Sequence, residues 1–307
     1  MTRLTRRLLL GALPGGAGLA AARPVEHALG VTEVPGTPRR VATLDNRHTE
    51  NLLALGLPPV GAAGLRRYRQ IMAGVEPAPG PEVTDLGQAD TPNIELLLAL
   101  APELIIGNAR SVQRHHAALS SIAPVLAYDP YPPGGANLYD AMLVHFRAIA
   151  EVLGRQAEAE AFLAALDAGY AAGRARLAAA GFAGRRVVLG NVNAGITGAD
   201  VMLFNANALP AEILRRLGFD YAYDEPRHAG RGFNVTTAEA LPALQEADFL
   251  YLPFNETGVR NLMATPIWRN LAFVREGRAR AIPYREMYGS VLTAQVFARQ
   301  VVAELAP

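Results

Sequence analysis

The chain has 307 residues, half of them hydrophobic, with 29 basic and 28 acidic side chains and a formal net charge of +1. That length and apolar content support a large core and two domains of ordinary size, and they exclude a disordered chain. Cysteine and lysine are both missing, which excludes disulfides, thiolate metal sites, a lysine-dependent phosphate loop and Schiff-base chemistry.

The first 22 residues, MTRLTRRLLLGALPGGAGLAAA, have a basic start, an apolar middle and a small-residue end. These are the three parts of an export signal. Thr5-Arg6-Arg7 ahead of Leu8-Leu9-Leu10 points to the twin-arginine type, with cleavage after Ala22. Pro14, Gly15, Gly16 and Gly18 interrupt a span already shorter than the roughly 20 apolar residues of a membrane helix. Cleavage removes Arg3, Arg6 and Arg7 and no acid, leaving 26 basic residues against 28 acidic and a charge of −2. No basic excess then remains for nucleic acid. The mature chain is expected to be soluble and periplasmic.

Residues 23–38 read as a proline- and glycine-containing lead-in. Strand RRVATL (39–44) ends at Asp45, helix NLLALG (51–56) follows, and PPVGAAG (58–64) is a second short strand. LRRYRQIMAGVEPAPGPEVTDLG reads as a loop because proline and glycine dominate it. Thr91 is predicted to cap a helix with Pro92 in its first turn. Strand ELIIG (103–107), a helix around 113–121 and strand PVLAY (124–128) complete this half. From Asn137 to about Ala180 apolar residues recur at three- and four-residue steps with a break near Gly154. The second part, from Gln156, is long enough to run between lobes. After Gly181 the alternation restarts: RRVVLGNV, VMLF, helix PAEILRRLG, FDYAY, helix TTAEALPAL, strand DFLYLPF, helix TPIWRNL, ARAIP and a closing helix from about Ser290 to Leu305.

Strands alternating with helices at this spacing predict α/β organisation with mainly parallel sheets in two lobes. The expected division is a signal at 1–22, an N-terminal lobe at 23–153, an interlobe helix at 154–180 and a C-terminal lobe at 181–307. One phrase is written twice: TPNIELLLALAPELIIGN (91–108) and TTAEALPALQEADFLYLPFN (236–255). Each passes from a threonine and a glutamate through a short helix into an apolar strand. Glu95 sits where a helix dipole favours a carboxylate, and Glu239 follows Thr236 at capping-box spacing. Neither GxSxG nor GxGxxG occurs, which speaks against a secreted hydrolase and a dinucleotide enzyme. The only histidine pair, His115-His116, points two ways on a helix and reads as surface.

Several phrases converge: PRRVATLD and ENLLALGLPPVGAA, then DLGQADTPNIELLLALAPELIIGN in the first half; TTAEALPAL, LMATPIWRNLAFVREGRARAIP and MYGSVLTAQ in the second. In this order they resemble the periplasmic substrate-binding proteins of ABC importers for ferric siderophores, in particular the hydroxamate, ferrichrome-type branch. The resemblance covers nearly the whole mature chain. It implies the class III binding-protein fold: two α/β lobes joined by one long helix around a shallow cleft. It implies a binding protein rather than an enzyme, with no cofactor of its own, because the iron arrives wrapped in its chelator. The implied partners are a ferric siderophore and an inner-membrane permease, and the implied state is a monomer.

The candidate ligand residues are Arg66, Arg67 and Tyr68 on one loop, Arg110 after ELIIG, Arg231 in HAGRGF, Asn255 after DFLYLPF, and Arg285 and Tyr288 around EMYGS. Guanidinium forks suit carboxylate or metal-bound oxygen, and aromatic rings cover apolar stems. The resemblance makes Glu95 and Glu239 salt-bridge partners of permease arginines, one per lobe. Trp268 is assigned to core packing. Where the family presents cleft tryptophans this chain has Ile71, Arg231 and Glu286, and the family's cleft arginine is replaced near Gln88–Ala89. That more polar, arginine-rich shell predicts a more anionic ferric complex than neutral ferrichrome. Haem or cobalamin on the same scaffold is the alternative cargo, for which Tyr68, Tyr131 and Tyr288 would be axial candidates.

Overall fold

A computed structural model of the chain describes residues 22–195, 198–225, 230–283, 285 and 289–307. The expected signal therefore lies outside the described residues, except for Ala22.

The lead-in forms a hairpin, β1 (Ala22–His27) and β2 (Gly30–Pro35), paired antiparallel. There follow β3 (Val41–Thr43), α1 (Asn46–Ala54), β4 (Gly61–Ala62), α2 (Leu65–Ile71), β5 (Thr84–Asp85), β6 (Gly87–Gln88), β7 (Thr91–Pro92), α3 (Ile94–Leu100), β8 (Leu104–Asn108), α4 (Ala109–Ser120) and β9 (Val125–Tyr128). The sheet runs β5-β4-β3-β8-β9 and every pair in it is parallel. The hairpin lies along its β9 edge, where Thr32 Oγ1 donates to the Val125 carbonyl at 3.0 Å and the Ala28 N–H to that of Ala127 at 2.9 Å. Edge strands left bare invite pairing with other chains, and this hairpin covers one.

Then come α5 (Leu138–Val152) and α6 (Gln156–Ala179). The 24 residues of α6 span about 36 Å at 1.5 Å per residue. Its buried stripe is Ala159, Leu163, Leu166, Tyr170, Gly173 and Leu177, at the three- and four-residue steps of one helix face. Gly173 is required by close approach: a Cβ there would lie 2.9 Å from both Leu217 and Val302 side chains.

The second lobe contains β10 (Arg186–Gly195), β11 (Gly198–Phe204), α7 (Leu209–Arg216), β12 (Asp220–Tyr221), β13 (Phe233–Thr236), a 3-10 helix at Ala238–Leu244, β14 (Asp248–Pro253), α8 (Glu256–Ala264), α9 (Pro266–Asn270), α10 (Ala272–Arg275), β15 (Ala279–Ala281) and α11 (Val291–Leu305). Its sheet runs β13-β11-β10-β14-β15. The β10, β14 and β15 pairs are parallel, whereas β10-β11 and β11-β13 are antiparallel. The start of β10 pairs β12 in parallel and its remainder pairs β11. This lobe is thus mixed, with an antiparallel ribbon on one side of a parallel core.

One apolar cluster joins the lobes. Leu52, Ile106 and Leu126 of the first lobe share it with Phe146 and Leu166 of the helical span and with Leu189, Leu214, Leu252 and Phe297 of the second. A smaller cluster sets Leu53 and Tyr68 against Leu292 and Val296 of α11. Trp268 is buried, as expected, among Phe249, Tyr251 and Phe273 on the outer face of the second lobe. Among the described residues no helix is long and apolar enough to cross a membrane.

Candidate ligand-binding site

In the first lobe the strand order reverses direction at β3, between β4 and β8. Open α/β sheets bind ligands beyond the carboxyl ends of the strands at such a switch point. Asp45 lies two residues past the end of β3. Its carboxylate accepts the His48 N–H at 3.2 Å and so starts α1 at Asn46, not at Asn51. That cap aims Asp45 and Arg47 into the gap between lobes. The next crossover ends in Gly64, whose φ of 77° suits glycine and turns the chain into α2. Arg66 and Arg67, in the first turn of this short helix, stand exposed on the cleft wall.

The opposite wall comes from the second lobe. Asn191 and Asn193 lie on β10, Met202 on β11 and Phe233 on β13, and Phe254 follows β14. The cleft between the walls measures about 950 Å³. Its first wall holds Arg47, Arg66 and Arg67 against Asp45 and Asp85, while the second is amide and apolar. The Arg67 guanidinium lies 5.7 Å from the Phe254 ring centre, a contact across the opening.

Adjoining the cleft is a small chamber of about 50 Å³. Asp45, Arg47, Tyr131 and Phe233 border both spaces. Three rings line one side in a column: His48 to Tyr128 at 5.6 Å and Tyr128 to His145 at 5.0 Å between centroids. Burial, then the charge of His48, holds His145 down at about 4. Burial likewise lowers His48, against the pull of Asp45. Burial pushes the Tyr128 hydroxyl up. For Asp45 burial acts upward, but His48, Arg47 and the N–H groups of both prevail and hold the carboxyl below its ordinary value. Both imidazoles are therefore neutral at neutral pH and Asp45 is ionised. Among the described residues no three histidine, aspartate or glutamate side chains converge in a way that would hold a metal ion.

The sequence-predicted residues separate here. Arg66 and Arg67 line the cleft and Arg231 the chamber. Tyr68 does not line either: it is 2 % exposed, packed on Leu53, Val83 and Leu292. Its stretch is helical, and Tyr68 falls three residues after buried Leu65 on the inner face. Arg110 is exposed in the first turn of α4, outside both linings. Asn255 is occupied as the cap of α8, accepting the Gly258 N–H at 3.0 Å, and its neighbour Phe254 takes the cleft position. Arg285 donates to the Ile71 carbonyl at 2.6 Å, tying the lobes together. Tyr288 and Glu286 lie outside the described residues. Glu95 and Glu239 are both exposed. The helix of Glu95 is capped by Asn93, which accepts the Leu96 N–H, while Thr91–Pro92 form strand β7. The 3-10 helix of Glu239 begins after Thr237, whose hydroxyl donates to the Glu239 carboxylate. That bond, and the residue's own N–H, lower the Glu239 carboxyl.

Sequence reasoning missed His48, Tyr128 and His145. A signal existed for the first, since DNRH directly follows a buried strand. His145 and Tyr128 meet only in space.

A sequence profile of the family described as periplasmic binding protein matches residues 41–285. The chain belongs to that family. This binding protein is 29 % identical over 263 residues to the iron(3+)-hydroxamate-binding protein FhuD of Escherichia coli, covering 85 % of each chain. It is 27 % identical over 258 residues to the Fe(3+)-citrate-binding protein YfmC of Bacillus subtilis, covering 83 % of this chain and 76 % of that one. Among solved structures it superposes on the siderophore-binding protein FhuD of Vibrio cholerae, bound to Fe3+-Desferal, with a TM-score of 0.77 at 28 % identity, covering 87 % of this chain and 99 % of the other. Staphylococcus aureus SirA in complex with staphyloferrin B matches at 0.69 and 22 % identity, over 92 % and 97 % of the two chains, a likeness of fold. The binding protein has the two-lobed α/β fold of these relatives. It is a binding component, not an enzyme.

Proposed function

We infer that this protein captures a ferric siderophore between its lobes outside the cytoplasm and hands it to an ABC permease. The observation that carries this reading is the cleft itself. It is large enough for a chelate complex, with arginines on one wall and amide and apolar groups on the other. Cationic forks meet anionic or metal-bound oxygens, and the second wall accommodates the organic shell. Relatives named for ferric hydroxamate and ferric citrate support the same cargo class. The iron is cargo inside its chelator, so the protein contributes no cofactor. Arg47, Arg66 and Arg67 outnumber Asp45 and Asp85 in the cleft, which favours an anionic complex over a neutral one.

The finer reading follows the sequence. A twin-arginine signal exports the chain, residues 23–153 and 181–307 act as lobes about the helical span, and the mature protein works as a monomer. Glu95 and Glu239, exposed on different lobes, dock to arginines of the permease. For the haem alternative, buried Tyr68 is withdrawn as an axial ligand, Tyr131 stands at the cleft, and Tyr288 lies outside the described residues.

Isothermal titration of the purified protein with ferric dicitrate, neutral ferrichrome and haem tests this. Tight binding of ferric dicitrate, weaker binding of ferrichrome and no haem absorption shift are expected. Equal affinity for the two ferric complexes overturns the anionic preference. Binding of haem alone overturns the siderophore reading.

A further inference from the structure

Five residues around the inner chamber carry buried polar atoms with no hydrogen-bond partner among the described residues. They are Asp45 Oδ2, Arg47 Nη1, His48 Nδ1, Asn51 Oδ1 and the Tyr128 hydroxyl. A buried polar group without a partner is costly, on the order of 1–3 kcal/mol, so a cluster of five implies that something else completes them. Water or a ligand group would do so. The chamber has room for about three to five water-sized groups, taking roughly 10–15 Å³ for each.

Two features favour a ligand group over water alone. The chamber adjoins the cleft, sharing Asp45, Arg47, Tyr131 and Phe233 with it, so a ligand seated in the cleft lies next to it. Its walls are also unlike each other. The column of His48, Tyr128 and His145 presents hydrogen-bonding rings, whereas Met142, Phe204 and Leu209 are apolar. A short apolar stem ending in a polar head matches that division.

The charges decide the head. Arg47 and Arg231 border the chamber against the single carboxylate of Asp45. Asp45 is already shared between Arg47 at 3.7 Å and His48 at 3.9 Å. Among the lining side chains the balance is positive, with Asp129 and Glu151 acting on His145 and Tyr128 from outside the lining, and an ammonium head would be repelled by the two guanidiniums. We propose that the inner chamber is a ligand subsite that takes an uncoordinated carboxylate arm of the bound ferric chelator, with Arg47, Arg231 and the Tyr128 hydroxyl as its recognition groups. The proposal rests on the reading that the cleft binds a ferric siderophore, and it narrows that class to chelators with a free carboxylate.

The test plugs the chamber without removing a polar group. Ala141 lines it from α5, and Ala141→Phe fills the space. Affinities for ferric dicitrate, ferrichrome and ferric desferrioxamine B, whose free end is an ammonium, are measured by isothermal titration. Ala141→Phe is expected to weaken ferric dicitrate about tenfold or more while ferrichrome changes less than about twofold. Equal weakening of all three complexes, or no weakening of ferric dicitrate, overturns the subsite. Selective weakening of desferrioxamine B overturns the carboxylate assignment. Tyr128→Phe keeps the ring in the column and removes only the hydroxyl, one of the proposed recognition groups; it decides the question with the same expected pattern if Ala141→Phe melts early. A wild-type protein that binds none of the three complexes overturns the siderophore reading itself, which is a different failure.

Discussion

His145 and His48 sit one ring apart from each other, on either side of Tyr128, and each is held neutral mainly by burial. Besides burial, His48, Asp129 and Arg47 act on His145, and Asp45, Arg47 and the Gly107 backbone on His48. Both folded values lie below the ordinary 6.5. The unfolded chain therefore takes up protons that the folded chain refuses. Stability is full above about pH 6.5 and is lost as pH falls towards about 4. The loss from His145 should reach roughly 1–2 kcal/mol, because its partial exposure discounts the full shift. Thermal melts between pH 7 and 4 should show the midpoint falling in the wild type, with a shallower fall in His145→Phe. A midpoint independent of pH over that range would refute the assignment.

At the scale of elements, α8 presses against β10 through a residue without a side chain. A Cβ on Gly258 would stand 2.2 Å from the carbonyl carbon of Asn193 and 2.5 Å from the Ala194 nitrogen. Backbone cannot yield as a side-chain end can, so Gly258→Ala must push α8 off the strand. Overpacking of this kind costs about 1–3 kcal/mol, and here it also displaces Asn193 from the cleft wall. Denaturant melts should show that loss together with weakened ferric dicitrate binding; unchanged affinity would mean that Asn193 does not contact cargo. The two short helices with exposed glutamates belong to the same scale. Glu95→Arg with Glu239→Arg should abolish siderophore uptake in cells while titration of the purified double variant gives the wild-type affinity. Loss of ligand binding in that variant would remove the docking role.

For the whole molecule, the question is how freely the lobes move. Besides the helical span, the tie at Arg285 and the shared core, one buried carboxylate crosses between them. Glu50 of α1 is 0 % exposed and accepts the Ser290 hydroxyl, the Thr293 N–H at 3.1 Å and the Thr293 hydroxyl at 2.6 Å. It thus caps the start of α11, where a helix dipole favours negative charge. This contact lies beside Gly289, at the wall of the chamber. Removing a partner from such charge-assisted bonds costs about 3 kcal/mol. Glu50→Ala should lower the unfolding free energy by that order, read from denaturant melts, whereas Glu50→Gln should recover part of it. A loss below about 0.5 kcal/mol would show that the lobes hold together without this tie.

Much of this architecture was legible along the chain. Alternation of apolar strands with amphipathic helices, the break at Gly154 and the uninterrupted period after Gln156 are local properties, set by side-chain spacing and by where glycine and proline stand. The family phrases are local too. Short elements were not legible: α2 has seven residues between glycine-rich turns, too few for a periodic signal, so Tyr68 could not be assigned to its buried face. Caps slipped for a similar reason, since Thr91 and Asn93 are both good cap residues and only the pairing of β6 with β7 selects Asn93. The chamber lay entirely beyond local reading. His48, Tyr128 and His145 come from three different elements, and Arg285 reaches Ile71 across 214 positions. Local pattern decides what each segment becomes, because spacing and turn chemistry act over a few residues. Packing between lobes decides which polar groups meet and lose their water, and that choice sets both the cleft's charge and the chamber beneath it.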